Sequence, residues 1–414
     1  MRALRFLQFR RMIPVFIVLM LLALGIANYQ FAVRALGGND FLPGWVAARQ
    51  WLSESFNPYE PAVSQEAQEM IYGRPANPED GETQALFLYP LWAMILYVPL
   101  SLLPYPLALA LWMTILELGL PFLMWLGTRF FRWKPSPRML VALMVFPIVC
   151  YHGIRSIVIG QFAVVEMLLI VASLLAIQRR QDVLGGVLLA LTLIKPQLSL
   201  PLMLFILLWS ISAGRWRLLT TTLLVPILLL VISILVNREW ILWWLRSIVR
   251  FVEYVDIRPP ILAIGANLST IGFWVALGLM IVLVIFMILQ WFRAFDKTDH
   301  WFQWTTSLTL VITSLITIRT TTANLVLTIP ALILILKVWL DRKKEAGTRT
   351  AWIVASVLMA IIWLLFFVIP QGPFEHPILY LPLPLFAFIG LLWSRWWITS
   401  GPGALIDSEP LVWV

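Results

Sequence analysis

Long apolar stretches separated by short polar connections run along this chain from end to end. A helix needs about 20 apolar residues to cross the hydrocarbon core of a bilayer. On that scale the pattern predicts spans at about 12–33, 106–131, 139–154, 160–178, 184–195, 198–213, 217–236, 271–292, 302–318, 324–340, 351–370 and 378–393. That is about twelve transmembrane helices (11–13), several shorter than a full span, with breaks at Pro196, Pro226 and Pro330. The stretch 86–105 is apolar but interrupted by Pro90, Pro99 and Pro104, so it is expected as a bent, re-entrant or interfacial piece. The run NREWILWWLRSIVRFVEYVDI puts Glu239, Arg246, Arg250 and Glu253 on one helical face and Trp244, Ile248, Val252 and Val255 on the other. It predicts an amphipathic helix over about 238–257, lying along the membrane surface. No internal repeat, low-complexity tract or heptad seam is present in the sequence.

Composition narrows the class. The 414 residues are 61% hydrophobic and 12% charged, against about 45–50% and about 25% in soluble domains. The expected architecture is one all-α polytopic membrane domain over 1–414. The 22 Trp suit belts at the headgroup level. A single Cys150 excludes an intrachain disulfide and a cysteine metal cluster.

The net charge of +9 does not point to nucleic acid, because the basic residues sit in small groups between spans and form no continuous face. They read as topology signals. One set of connections, with Arg10, Arg129, Arg179, Arg215, Arg293 and Arg342 among its cations, is richer in Lys and Arg by roughly two to one. That set is expected in the cytosol together with both termini, including a short tail over 394–414. The segment MRALRFLQFRRM with the apolar run 13–27 is expected to be an uncleaved signal-anchor helix. The opposite, outer face then collects the loop 34–85, the turn 155–161, residues 195–197, the loop 237–270 and the turns 319–324 and 371–376.

Those outer connections hold the candidate chemistry. Asp40 falls just beyond the first predicted span. It is either an N-cap for the stretch 41–52 or an acid held at fixed depth by an interfacial helix carrying Trp45 and Trp51. Lys195 is the one charge in GGVLLALTLIKPQLSLPLMLFILL. It either snorkels to the interface or presents its ammonium to a phosphate at the outer leaflet. Arg155 and Gln161 in HGIRSIVIGQF, and Arg319 in TIRTTTAN, are expected on the same face, where arginine forks suit phosphate oxygens or lipid headgroups. Asn267 and Ser269 in GANLST suit a polar substrate or a helix N-cap. Glu117 and Glu166 lie within predicted spans and read as structural. His152, His300 and His376 are too scattered to suggest a metal site, and no phosphate loop or dinucleotide fingerprint occurs.

Taken in order, Asp40 with WVAARQWL and NPYEP, FLYPLWAMILYVPLSLLP, IGQFAVVEMLLIVASLLA, the Lys195 run and GANLST resemble the polytopic glycosyltransferases of the GT-C fold. The chain is most similar to the family 87 type, which includes bacterial polyprenyl-phosphate-mannose mannosyltransferases. The resemblance implies an inverting transfer of a mannose-like hexose from a polyprenyl-phosphate donor to a glycolipid or cell-surface glycan. It places this on the outer face of the plasma membrane. It makes Asp40 the catalytic base and leaves Lys195, Arg155 and Arg319 for the donor phosphate. Gln161, Tyr59, Tyr89, Asn267 and Asn324 would then contact substrate, and Trp45 would join the apolar wall. No cofactor is implied, although relatives of the fold that bind divalent ions leave a metal open. Partners would be donor, acceptor and membrane lipid, with no nucleic acid. Where mannosyltransferase-like members often carry histidines in the late outer turn, this chain has Arg319 and Asn324, and YPP is replaced by Tyr89-Pro90-Leu91. Competing readings are a flippase or transporter of lipid-linked sugars, a glycan polymerase or ligase, and a non-catalytic assembly subunit.

Overall fold

The computed structural model describes residues 2–35, 37–54, 57–77, 80–295, 297–369 and 375–399, and every regular element among them is helical. The end of the expected tail, 400–414, and residues 371–374 of the expected outer turn lie outside the described residues.

The first helix, α1 (Arg2–Arg34), is followed by α2 (Leu42–Glu54) and α3 (Pro61–Tyr72). The stretch 41–52, expected as an interfacial helix, is covered by protein over its first eight residues, while Arg49 and Leu52 are exposed and Trp51 is half-buried. Residues 41–48 are all buried under protein, Phe41 stacks on Trp112 at 5.6 Å, and the Trp45 indole donates to the Leu103 carbonyl at 3.3 Å. Aromatic partners from later in the chain draw the first half of this helix, with Trp45, into the protein core.

The 3-10 turn Leu91–Ala93 leads into α4 (Met94–Ser101), whose 8 residues are too few to cross a core about 30 Å thick. The chain then enters α5 (Tyr105–Phe130), a full span. Next, α6 (Pro137–Val149) and α7 (Tyr151–Val158) meet at a 57° bend, where Cys150 adopts extended backbone. Three apolar helices follow, α8 (Ala163–Gln178), α9 (Asp182–Leu191) and α10 (Pro196–Ser212). After α9 a 3-10 turn, Thr192–Ile194, stops at Lys195, with φ −124° and ψ 71°. Proline disfavours helical backbone in the residue before it and suits the first position of the next helix. Pro196 therefore fixes where the Lys195 side chain departs.

The long span α11 (Trp216–Val236) is followed by α12 (Trp240–Tyr254), α13 (Pro260–Leu268) and a second long span, α14 (Thr270–Ala294). Three stripes divide α12. Trp240 and Ser247 are buried against the protein, and the Trp244 indole donates to the Leu88 carbonyl at 2.8 Å. Leu242, Leu245, Val249 and Val252 are exposed. Glu239, Arg246, Arg250 and Glu253 fall on the remaining side, between these two stripes. A helix with protein, apolar and charged faces suits the headgroup plane.

The helix α15 (Asp299–Ile316) is the centre of the bundle, buried from Phe302 to Leu315 and packed against α10 and α14. Its polar residues are tolerated there because Ser307, Thr309 and Thr313 return their hydroxyl hydrogens to carbonyls one turn back. The 3-10 turn Thr322–Thr328, α16 (Ile329–Val368), the 3-10 turn Pro377–Tyr380 and α17 (Pro382–Thr399) complete the described chain.

Among the described residues, six stretches are long and apolar enough to cross a membrane, one of them running from the 3-10 turn at Thr322 into the first half of α16 and another along its second half, and the bent α6–α7 pair makes a seventh. The protein is an all-helical polytopic membrane protein. The expected twelve crossings are not reached by this measure: the apolar part of α1 (Val18–Arg34), α8, α9 with its 3-10 extension, and α10 stay at 17 residues or fewer, and α15 is not apolar enough. Between α6, α7, α17 and the two halves of α16 lies a cavity of about 480 Å³, walled by side chains such as Met139, Phe146, Leu332, Leu358 and Phe386. His152 lies on this wall, fully buried, and neither ring nitrogen has a hydrogen-bond partner among the described residues.

Candidate active site

Asp40 is placed by two glycines and a backbone crossing. The Gly38 amide donates to the Val158 carbonyl and the Asp40 amide to the Ile159 carbonyl, each at 2.9 Å. This lays the turn 37–41 across the end of α7. Gly38 and Gly160 both have positive φ, 63° and 68°. A Cβ on Gly160 would lie 2.7 Å from that of Phe41. Gly160→Ala is therefore expected to destabilise the protein by about 1–3 kcal/mol, through strain and overpacking, and to displace Asp40. Thermal unfolding in detergent checks the first effect and transfer activity the second.

The start of α2 is closed by main chain, since the Phe41 and Leu42 amides turn back to the Gly38 carbonyl. The Asp40 carboxylate is left for Gln161, whose Nε2 donates to Oδ2 at 2.5 Å. The other oxygen, Oδ1, has no hydrogen-bond partner among the described residues. The orientation of the Gln161 amide is over-determined. Its Oε1 accepts from the Lys195 ammonium, the Tyr89 hydroxyl (3.3 Å) and the Phe162 amide (2.9 Å), so the NH₂ group must face the acid. Lys195 also donates to Asn324 Oδ1 at 3.1 Å and lies 5.8 Å from the centre of the Tyr89 ring. Asn324 in turn donates to Thr320 at 2.7 Å. One chain of hydrogen bonds thus joins Asp40, Gln161, Lys195 and Asn324, from four separate parts of the sequence. Lys195 is buried and paired with amide oxygens, so it does not snorkel.

Burial pushes the Asp40 carboxyl above the usual carboxylate range. Lys195 and Arg155 favour its ionised form, Glu375 opposes it, and the Gln161 hydrogen bond favours it again, with burial prevailing. An acid in that balance is a stronger base than a solvated aspartate, and its open oxygen can receive a proton.

A model described as Glycosyltransferase family 87 matches residues 87–318, more than half of the sequence. The chain belongs to glycosyltransferase family 87. No curated protein and no solved structure matches it. As a family 87 member it is a membrane glycosyltransferase, with a sugar donor and an acceptor for substrates. The matched span holds Tyr89, Arg155, Gln161 and Lys195, while Asp40, Arg319 and Asn324 flank it.

The remaining candidates of this family 87 chain are placed unequally. Tyr59 is buried behind Tyr89, donating to its carbonyl at 2.8 Å. Arg319 is buried too, but its guanidinium is engaged by the Asp256 carboxylate at 2.8 Å and by the Asp256 carbonyl at 3.0 Å. It borders a small pocket shared with Asn324. Ser269 caps α14 by accepting from the Gly272 amide at 2.9 Å. Asn267 is exposed at the end of α13, and no hydrogen bond joins it to the Asp40 chain among the described residues. Glu166 is fully buried on α8, and neither carboxyl oxygen has a partner among the described residues. No group of three or more His, Cys, Asp or Glu that could hold a metal converges among the described residues.

Sequence reasoning missed Glu375. Its carboxylate accepts from the Tyr151 hydroxyl (3.0 Å), Arg155 Nε (3.0 Å), the Thr322 amide (2.6 Å), the Thr322 hydroxyl (2.8 Å) and the Tyr380 hydroxyl (3.3 Å). Burial pushes this carboxyl upward, but Arg155 and the donors from Thr322 and Tyr151 outweigh it and hold it below the usual range.

Proposed function

We propose that the protein transfers a mannose-like hexose from a polyprenyl-phosphate donor to a hydroxyl of a glycolipid or cell-surface glycan, with inversion, on the extracytoplasmic face of the plasma membrane. The observation that carries this reading is the Asp40 carboxylate, with Oδ2 held by Gln161 and Oδ1 left open, beside a buried ammonium. The acceptor hydroxyl gives its proton to Asp40 as its oxygen bonds to the anomeric carbon. The bond from that carbon to the phosphate oxygen breaks, and its electron pair leaves with the polyprenyl phosphate. One displacement of this kind inverts the anomeric centre. Phosphate is already a good leaving group, so cations suffice in place of a general acid. Lys195 and Arg155 supply the charge. Arg319 joins them only if it is released from Asp256.

Two features support a lipid-linked donor. The apolar cavity has room for part of an isoprenoid chain, and Tyr151 on its wall shares the Glu375 carboxylate with Arg155. The distribution of Lys and Arg supports the assignment of faces. The test is donor choice by purified protein in lipid. Labelled hexose should pass to acceptor from polyprenyl-phosphate hexose and not from a nucleotide sugar. Transfer from the nucleotide sugar alone would overturn the donor assignment, and movement of the donor across the bilayer without transfer would favour a flippase.

A further inference from the structure

We infer that Glu375 is a positioning residue for the donor phosphate, holding the Arg155 guanidinium by its Nε so that both terminal nitrogens face the substrate. This rests on the donor reading above.

The geometry separates the two ends of the guanidinium. Nε is engaged by Glu375 at 3.0 Å, while Nη1 and Nη2 have no hydrogen-bond partner among the described residues. The Arg155 side chain is 38% exposed, against 9% for Glu375, so the cation reaches out from an enclosed anion. A planar guanidinium fixed through Nε presents its remaining donors as a fork, which matches two oxygens of a phosphate. Arg155 also lies close enough to Asp40 for its charge to favour the ionised carboxylate, so the fork belongs to the same site as the base.

Glu375 does not depend on Arg155 to stay satisfied. Four other donors reach it, from Tyr151 on α7, from Thr322 twice, and from Tyr380. The 3-10 turn that begins at Thr322 also carries Asn324, the partner of Lys195. Tyr380 lies under the Arg319 guanidinium at 5.8 Å. One enclosed carboxylate therefore ties the helix that carries Arg155 to the turn whose Asn324 accepts from Lys195. The Arg155 contact can strengthen or loosen on phosphate binding without stripping Glu375 of partners. A purely structural acid in the same place would be equally well bonded, but its removal would not act through Arg155.

The test is a double-mutant cycle on affinity for polyprenyl phosphate carrying no sugar, titrated into the full chain in lipid nanodiscs, with thermal unfolding recorded for each variant. Arg155→Gln and Glu375→Gln are each expected to weaken binding by about tenfold or more, the loss expected for one hydrogen bond to a charged group. The double variant is expected to bind no more weakly than Arg155→Gln alone. Wild-type affinity in Glu375→Gln, or full additivity of the two losses, would overturn the inference. Should Glu375→Gln fail to fold, Glu375→Asp keeps the charge but withdraws it by one methylene, and unchanged affinity there would overturn the inference as well. Absence of any wild-type affinity for polyprenyl phosphate would instead sink the donor reading, and this inference with it.

Discussion

Asp40→Asn is expected to lower the transfer rate about 10²–10⁴-fold, the usual worth of a general base. Asparagine keeps the size of the side chain and can still accept from Gln161 Nε2, so the turn 37–41 should hold its shape. Expression and thermal unfolding should stay close to wild type, because the shape of the side chain and its hydrogen bond from Gln161 are kept. What asparagine lacks is a site that takes up a proton at neutral pH. Asp40→Glu keeps the charge but moves it by one methylene, and should retain more activity than the amide. Steady-state rates of both variants in lipid, with matched donor and acceptor, check this. The cap alternative fails on the same comparison, because asparagine caps a helix as well as aspartate does.

Lys195→Met is expected to cost about 10²–10³-fold in kcat, the scale of losing one preorganised electrostatic partner of the transition state. Methionine fills the volume without the ammonium. Gln161 Oε1 keeps two donors, Tyr89 and Phe162, so the amide should stay oriented toward Asp40. A second readout follows from the charge. Lys195 is the largest influence pulling the Asp40 carboxyl back down against burial. Without it the carboxyl titrates at higher pH, and a base must be ionised to work. The acid limb of kcat/KM should therefore move to higher pH in Lys195→Met. A limb that stays in place would mean that Lys195 does not act on the group being titrated.

The sequence carried local signals for some of this and none for the rest. The 3-10 break at Lys195 was written in the Lys-Pro pair, because the proline constrains the residue before it. The charged face of α12 was legible because Arg246, Arg250 and Glu253 recur at helical spacing. The opposite side was only half legible, since Trp244 packs on the Leu88 carbonyl while Val252 faces outward. Periodicity tells apolar from polar, but not protein from lipid. The same limit hid the burial of the start of α2, where Trp45 read as interfacial but Tyr97, Tyr105 and Trp112 pack around Phe41.

Asp40, Gln161 and Lys195 could be marked as candidates one by one, because each is a polar group beside an apolar run, while Asn324 entered through the family resemblance. Their joining through the Gln161 amide depends on contacts between residues 34 to 129 positions apart, which no window along the chain displays. Glu375 shows this most plainly. Its donors lie up to 224 positions away, and its own surroundings, FEHPILY, read as an ordinary loop. Arg319 shows the converse, since a strong candidate by residue type turned out to be engaged by Asp256.

The most direct measurement is the anomeric configuration of the product, read by NMR from a polyprenyl-phosphate hexose of known configuration and purified wild-type protein in lipid. A single displacement driven by Asp40 predicts complete inversion, with the same signal lost in Asp40→Asn. Retention of configuration, or an inverted product formed at the wild-type rate by Asp40→Asn, would contradict the account.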